Sequence, residues 1–100
     1  MQHNRTREDY FEVCAKALKF YGGPAQKEML IEECSELIQA IQHEKRGRIN
    51  PEEVCEEIAD VQIMLNQVSL LYPQSMIEKA IARKMARLNT RITFDDKKSE

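Results

Sequence analysis

Glu33 and Glu36 stand three residues apart in "EECSELIQA", residues 32–40, and Glu57 and Asp60 repeat that spacing in "EEIADVQIM", residues 56–64. Residues three apart on a helix are neighbours, so each pair is a two-carboxylate clip wherever its segment is helical. Hard oxygen donors suit a divalent cation. Mg²⁺ is the natural candidate, with Mn²⁺ as a substitute, because it fills its octahedron with carboxylates, waters and the phosphate oxygens of a substrate. Four acids are more than one such ion normally recruits, which points to two or more ions. Without cations they repel one another, and some hold their protons to higher pH than an ordinary carboxyl.

The clips act together only if two helices present them to one space. At about 100° per residue, Glu33 falls at the rim of an apolar stripe of Leu30, Cys34, Leu37 and Ile41, with Glu36 one row further out. Glu57 stands in the same phase to Val54, Ile58, Val61 and Leu65, and Asp60 again lies one row out. Stripes on successive helices must face a common core. Antiparallel packing then gathers Glu33, Glu36, Glu57 and Asp60 at one edge of it. Glutamate is also a strong helix former, and Glu28, Glu32, Glu44, Glu52, Glu53 and Glu56 read as members of solvated faces.

The elements that must position these residues are helices almost throughout. A first helix is expected from about Thr6 to Phe20, with Thr6 and Asp9 at capping-box spacing, and Gly22 and Gly23 end it. Pro24 suits the first turn of a second helix reaching about Glu44, which Gly47 breaks. Asn50 as N-cap and Pro51 as first helical residue start a third, running to about Leu71. Ser75 and Glu78 form another capping box, opening a fourth helix with Met76, Ile77, Ala80, Ile81, Met85 and Leu88 on its apolar side. The tail from Thr93 is expected to fray. Strand signals are essentially absent. The fold expected is all-α, a single domain over residues 1–100 in a four-helix antiparallel, bundle-like arrangement.

The chain is 42% hydrophobic and 32% charged, the profile of a folded helical protein. No tract is apolar for long enough to cross a membrane and "MQHNRTREDY" has no signal-peptide core, so the chain reads as cytoplasmic. Its charge is divided: about +1 over residues 1–23, −6 over 24–71 and +3 over 72–100. An acidic middle does not suit a nucleic-acid binder, whose phosphate-facing surface is basic. It suits a site that holds cations and, through them, something anionic. Cys14, Cys34 and Cys55 lack metal-ligand spacing and read as buried, reduced thiols. A chain of 100 residues covers its apolar faces poorly, so an obligate dimer at least is expected.

"EECSEL", followed after about twenty residues by "EEIADV", resembles the ExxE and ExxD signature of the MazG-like, all-α nucleoside triphosphate pyrophosphohydrolases. The resemblance covers roughly residues 24–92, including "QKEMLIEECSELIQAI", "PEEVCEEIADVQIMLNQV" and "IEKAIARKMARLNTRI". It implies Mg²⁺ held by Glu33, Glu36, Glu57 and Asp60 and hydrolysis of a (deoxy)nucleoside triphosphate to the monophosphate and pyrophosphate. It also implies a dimer or tetramer, its site often completed by a neighbouring subunit. A Lys, Asn and Arg group that contacts phosphate or sugar in the family is matched by Lys84, Arg87, Asn89 and Arg91, which equally fit a solvated basic face. Lys27, before the first motif, is a further phosphate candidate. His43 lies near the Glu36 row two turns on and reads as a surface residue. Tyr10, Phe11, Phe20 and Tyr21 read as core or subunit interface. The rival to an enzyme is a helical interaction module on the same scaffold, binding without turnover.

Overall fold

The computed structural model describes the backbone of residues 2–99 and the side chains of residues 9–98. Four helices follow one another: α1 (Gln2–Tyr21), α2 (Gly23–Lys45), α3 (Pro51–Ser69) and α4 (Gln74–Ser99), with no strand among the described residues. The chain is all-α, as its periodicity predicts.

The breaks are made by identifiable backbone chemistry. Gly22 takes φ 89°, which side chains disfavour, and its carbonyl accepts from Gln26 N at 3.1 Å to begin α2, with Pro24 in the first turn. At the other end of α2, Gly47 takes φ 71°. Its N–H donates to the Glu44 carbonyl at 2.9 Å and Arg48 N donates to the His43 carbonyl at 2.9 Å, the paired bonds of a Schellman C-cap. Asn50 then caps α3, its Oδ1 accepting from Glu53 N at 3.2 Å, and Pro51 opens the helix. Stop and start signals back to back reverse the chain within residues 46–50.

Two expected capping boxes are not used. α1 already runs from Gln2, so Thr6 lies inside it. α4 is built on Pro73, whose carbonyl accepts from Met76 N at 3.1 Å and Ile77 N at 3.3 Å, which leaves Ser75 within the helix. Gln74 turns its side-chain amide back to the Ser69 and Tyr72 carbonyls instead. The tail from Thr93 continues as helix to Ser99. Lys97 and Lys98 there favour the negative helix end, and the Lys98 ammonium lies over the Phe94 ring, 5.1 Å from its centroid.

α2 and α3 form an antiparallel hairpin and make the most extensive contact in the molecule; α1 lies against both, more on α3 than on α2. Buried apolar residues are few: Cys14, Ala40, Val54, Met64 and Val68. Asn66 Nδ2 donates to the Tyr10 hydroxyl at 2.7 Å and ties α1 to α3. Across the hairpin, buried Gln26 donates through Nε2 to buried Gln67. Nearby, a Cβ placed on Gly23 would meet both Leu71 Cδ atoms at 3.3 Å, so the helices approach closely at that end.

α4 has no comparable packing on the other helices. The Cα radius of gyration is 17.3 Å, against about 13 Å for a compact chain of this length. Ile81, Met85, Leu88 and Ile92 on α4 are exposed, as are Phe11, Phe20 and Tyr21 on α1. Those aromatics therefore do not enter the core of a single chain. Cys14 is buried and Cys34 half-buried, but Cys55 is exposed, correcting the reading of three buried thiols. Cys55 follows buried Val54 by one residue, which turns it about 100° round the helix.

The cap makes a direct prediction. Asn50→Ala should lower the unfolding free energy by about 1 kcal/mol in urea titrations, and Asn50→Asp should restore most of it; equal midpoints for all three chains would show the cap to be dispensable.

Candidate metal centre

The hairpin determines which acids meet. Carboxylate oxygens of Glu33 and Glu36 on α2 and Glu57 on α3 lie within 4.8 Å of one another. Glu33 and Glu57 are half-buried, whereas Glu36 is exposed. One oxygen of each half-buried acid, Glu33 Oε2 and Glu57 Oε2, is shut away from solvent with no hydrogen bond. Such atoms are costly unless something positive occupies the space they face.

Burial and, behind it, charge repulsion act in the same direction on both half-buried acids. Burial pushes the Glu33 carboxyl above its ordinary value of 4.5, and the negative charges of Glu36, Asp60 and Glu57 push it the same way. Burial also raises Glu57, with repulsion from Glu36, Asp60 and Glu56 adding to it. Glu36 lies within hydrogen-bonding reach of both. Asp60 is outside the tight group of three, yet its charge is felt by two of them. All donors are carboxylate oxygens, which suits Mg²⁺, Mn²⁺ or Ca²⁺ and not a soft metal. Buried, unpaired oxygens with raised proton affinity are what a site organised for a cation shows when protons compete for it.

Beside the acids, a cavity of about 200 Å³ is lined by Glu36, Gln39, Ala40, His43, Ile49, Glu53 and Glu57. His43, expected at the surface, is half-buried in its wall. The available signal was its seven-residue separation from Glu36, two turns along the same face. Gln39, three residues after Glu36, and Glu53, four before Glu57, carried an equally plain spacing signal.

The basic candidates lie elsewhere in a single chain. Lys27 sits at the open end of the hairpin, its ammonium over the Tyr72 ring, 5.3 Å from the centroid. Arg87 and Arg91 line a groove along α4 with Arg83, Ala86, Thr90 and Phe94, and Lys84 and Asn89 are exposed on the same helix. Because α4 does not pack extensively on α2 or α3, the fold does not gather these four around the acids.

A helical hairpin with paired acids in this register can be set beside known families. The model of the MazG nucleotide pyrophosphohydrolase domain matches residues 24–93. The chain belongs to the MazG family. The match begins at the first turn of α2 and ends within α4, so the MazG region holds all four acids and Lys84, Arg87 and Arg91 of α4 and leaves α1 outside. No curated protein and no solved structure gives a significant match. MazG domains are typically divalent-metal dependent, in keeping with the donor set found between α2 and α3. No helix among the described residues is long and apolar enough to cross a membrane.

The raised titrations make a pH prediction. Between 4.5, the ordinary value, and the raised values of Glu33 and Glu57, the folded chain holds more protons than the unfolded one. Stability contributed by these groups is then complete below 4.5 and is lost as pH rises through the raised values. In calorimetric scans of EDTA-treated protein, the melting temperature should fall across that window, and Mg²⁺ should restore it at neutral pH. The Glu33→Gln/Glu57→Gln variant should show a flatter profile and little response to Mg²⁺; a profile identical to the parent's would contradict the assignment.

Proposed function

We propose that this MazG-family chain is a Mg²⁺-dependent pyrophosphohydrolase that converts a (d)NTP to the (d)NMP and pyrophosphate. Its role is nucleotide-pool sanitation or control in the cytoplasm, as a single MazG-like domain assembled into a dimer or tetramer. The convergence of Glu33, Glu36 and Glu57, with two buried oxygens left unpaired, carries the reading.

In this proposal Glu33, Glu36, Glu57 and Asp60 hold the cations. A bound Mg²⁺ supplies Lewis-acid polarisation of phosphoryl oxygens and neutralises the polyphosphate. The chain's own part is positioning. Glu33 and Glu57 present their carboxylates from rows fixed by hairpin packing, which prepays the cost of orienting them. The proton of the attacking water passes to one of the four acids or to the flanking Glu32 or Glu56, all of which are carboxylates within a turn of the centre. Positive charge for the phosphates comes from Lys84, Arg87 and Arg91, with Asn89 beside them and Lys27 as an additional contact. Since α4 stands off its own hairpin, a second copy delivering its α4 to the acids is the arrangement that unites the two charge sets. The exposed Ile81, Met85, Leu88 and Ile92 supply the apolar surface for that contact.

Incubation of purified protein with a panel of canonical and modified NTPs and Mg²⁺, with products resolved, tests the chemistry. Pyrophosphate should be released from at least one substrate, and Glu36→Gln or Asp60→Asn should slow release by more than about 100-fold, beyond the usual effect of losing a group that only supports a ligand. Orthophosphate as first product would identify a stepwise phosphatase, and absence of turnover throughout would favour a binding module. The assembly is tested separately by sedimentation. The parent should be a dimer or larger at micromolar concentration, and Ile81→Glu/Leu88→Glu should shift it toward monomer and reduce turnover together.

A further inference from the structure

Gln26 and Gln67 are the buried polar residues among the described side chains, 5% and 6% exposed, and they meet across the α2/α3 seam through a Gln26 Nε2 to Gln67 Oε1 hydrogen bond. Amides are awkward occupants of a helix seam. An apolar pair of the same size needs no hydrogen bond there, and a buried polar pair contributes chiefly by penalising every arrangement in which it is broken. A single polar residue in a coiled-coil core fixes register by the same means.

The placement of this pair gives it something to fix. Gln26 precedes Glu33 by seven residues and Gln67 follows Asp60 by seven. Seven residues are about two helical turns, so each amide lies in line with one acid, Gln26 with Glu33 on α2 and Gln67 with Asp60 on α3. The pairing that sets 26 against 67 also sets 33 against 60 and 36 against 57. Covalent connection closes the hairpin at residues 46–50, and Glu36 stands ten residues from Arg46 and ten from Gln26. The acids thus occupy the middle of a hairpin joined by the turn at one end and by the amide pair at the other. Their mutual repulsion acts to spread the helices. With only Ala40, Val54, Met64 and Val68 as buried apolar residues on α2 and α3, hydrophobic contact opposes it modestly.

From this geometry we infer that Gln26 and Gln67 are positioning residues. They hold the open end of the hairpin in register and keep the acids at cation-binding separation before any cation arrives. The inference rests on the metal-centre reading proposed above. Slippage by one helical turn, about 5.4 Å, would strand two buried amides at the moment it separated the acids.

The test uses the full chain, with Mn²⁺ as the probe. Gln26→Met/Gln67→Met removes the hydrogen bond and keeps the volume. Its metal-free melting temperature should equal or exceed the parent's, while Mn²⁺ affinity measured by electron paramagnetic resonance should fall about tenfold or more, the range seen when support for metal ligands is lost. A purely structural role would move the two readouts together. Gln26→Met alone, which leaves Gln67 unpaired, should lower both. Hydrogen exchange on the unaltered, metal-free chain gives a measurement independent of any variant. Amides around Gln26 and Gln67 should be as protected as those around Glu33 and Asp60, and free exchange at the open end would overturn the inference. So would a folded double variant that binds Mn²⁺ as tightly as the parent. If the parent itself binds no Mn²⁺, the metal-centre reading falls and takes this inference with it.

Discussion

Repulsion among carboxylates on two packed helices is the constraint around which this molecule is arranged. Glu33 and Glu57 each bury an oxygen without a hydrogen bond, and their neighbours Glu36 and Asp60 share their sign. A hairpin that tolerates this must be held by interactions the acids do not disturb. A Schellman cap at Gly47 and the Asn50 cap lock the turn, and the Gln26–Gln67 pair and the close passage of Gly23 under Leu71 shut the other end. α1 braces α3 from outside through Tyr10 and Asn66, its Cys14 being the most deeply buried apolar residue among those described. Electrostatic strain is thereby stored locally, where a bound cation would relieve it.

Charge is also divided between elements. The acidic hairpin and the basic α4 belong to one chain yet do not embrace, and the apolar row of α4 is exposed, as are Phe11, Val13, Phe20 and Tyr21 on α1. A small chain buries a small fraction of its surface, and here an entire helix is left over. Both imbalances, electrical and apolar, are of the kind that pairing with an identical chain removes.

Much of this was legible in the residues. The 3.6-residue period placed four helices, and Gly47, Asn50 and Pro51 located the reversal, because helix ends depend on local backbone groups that single residues satisfy. The phase of the acids against the apolar rows put Glu33 and Glu57 at the rim of the seam and Glu36 and Asp60 one row out; in the structure Glu33, Glu36 and Glu57 meet, and Asp60 lies outside that group of three. The capping boxes failed because spacing shows that a cap can form and not that the helix begins there. Pro73 displaced Ser75 as the start of α4, and α1 began upstream of Thr6. His43 and the glutamine pair escaped for a different reason. A polar residue in the right row looks the same whether it faces water or a partner, and only the register across the hairpin tells them apart. The apolar face of α4 suggested a bundle, whereas the helix makes no extensive contact with α1, α2 or α3.

The hairpin can be viewed as a lever hinged at residues 46–50, with Glu36 halfway along its arm. A displacement at the open end reaches the acids at about half its size by simple proportion along a straight helix. At Gly23, a Cβ would stand 3.3 Å from both Leu71 Cδ atoms, so the Leu71 side chain would have to give by a few tenths of an ångström. The hydrogen atom that glycine carries in place of a methyl group thus lets the two arms of the lever close at their far end.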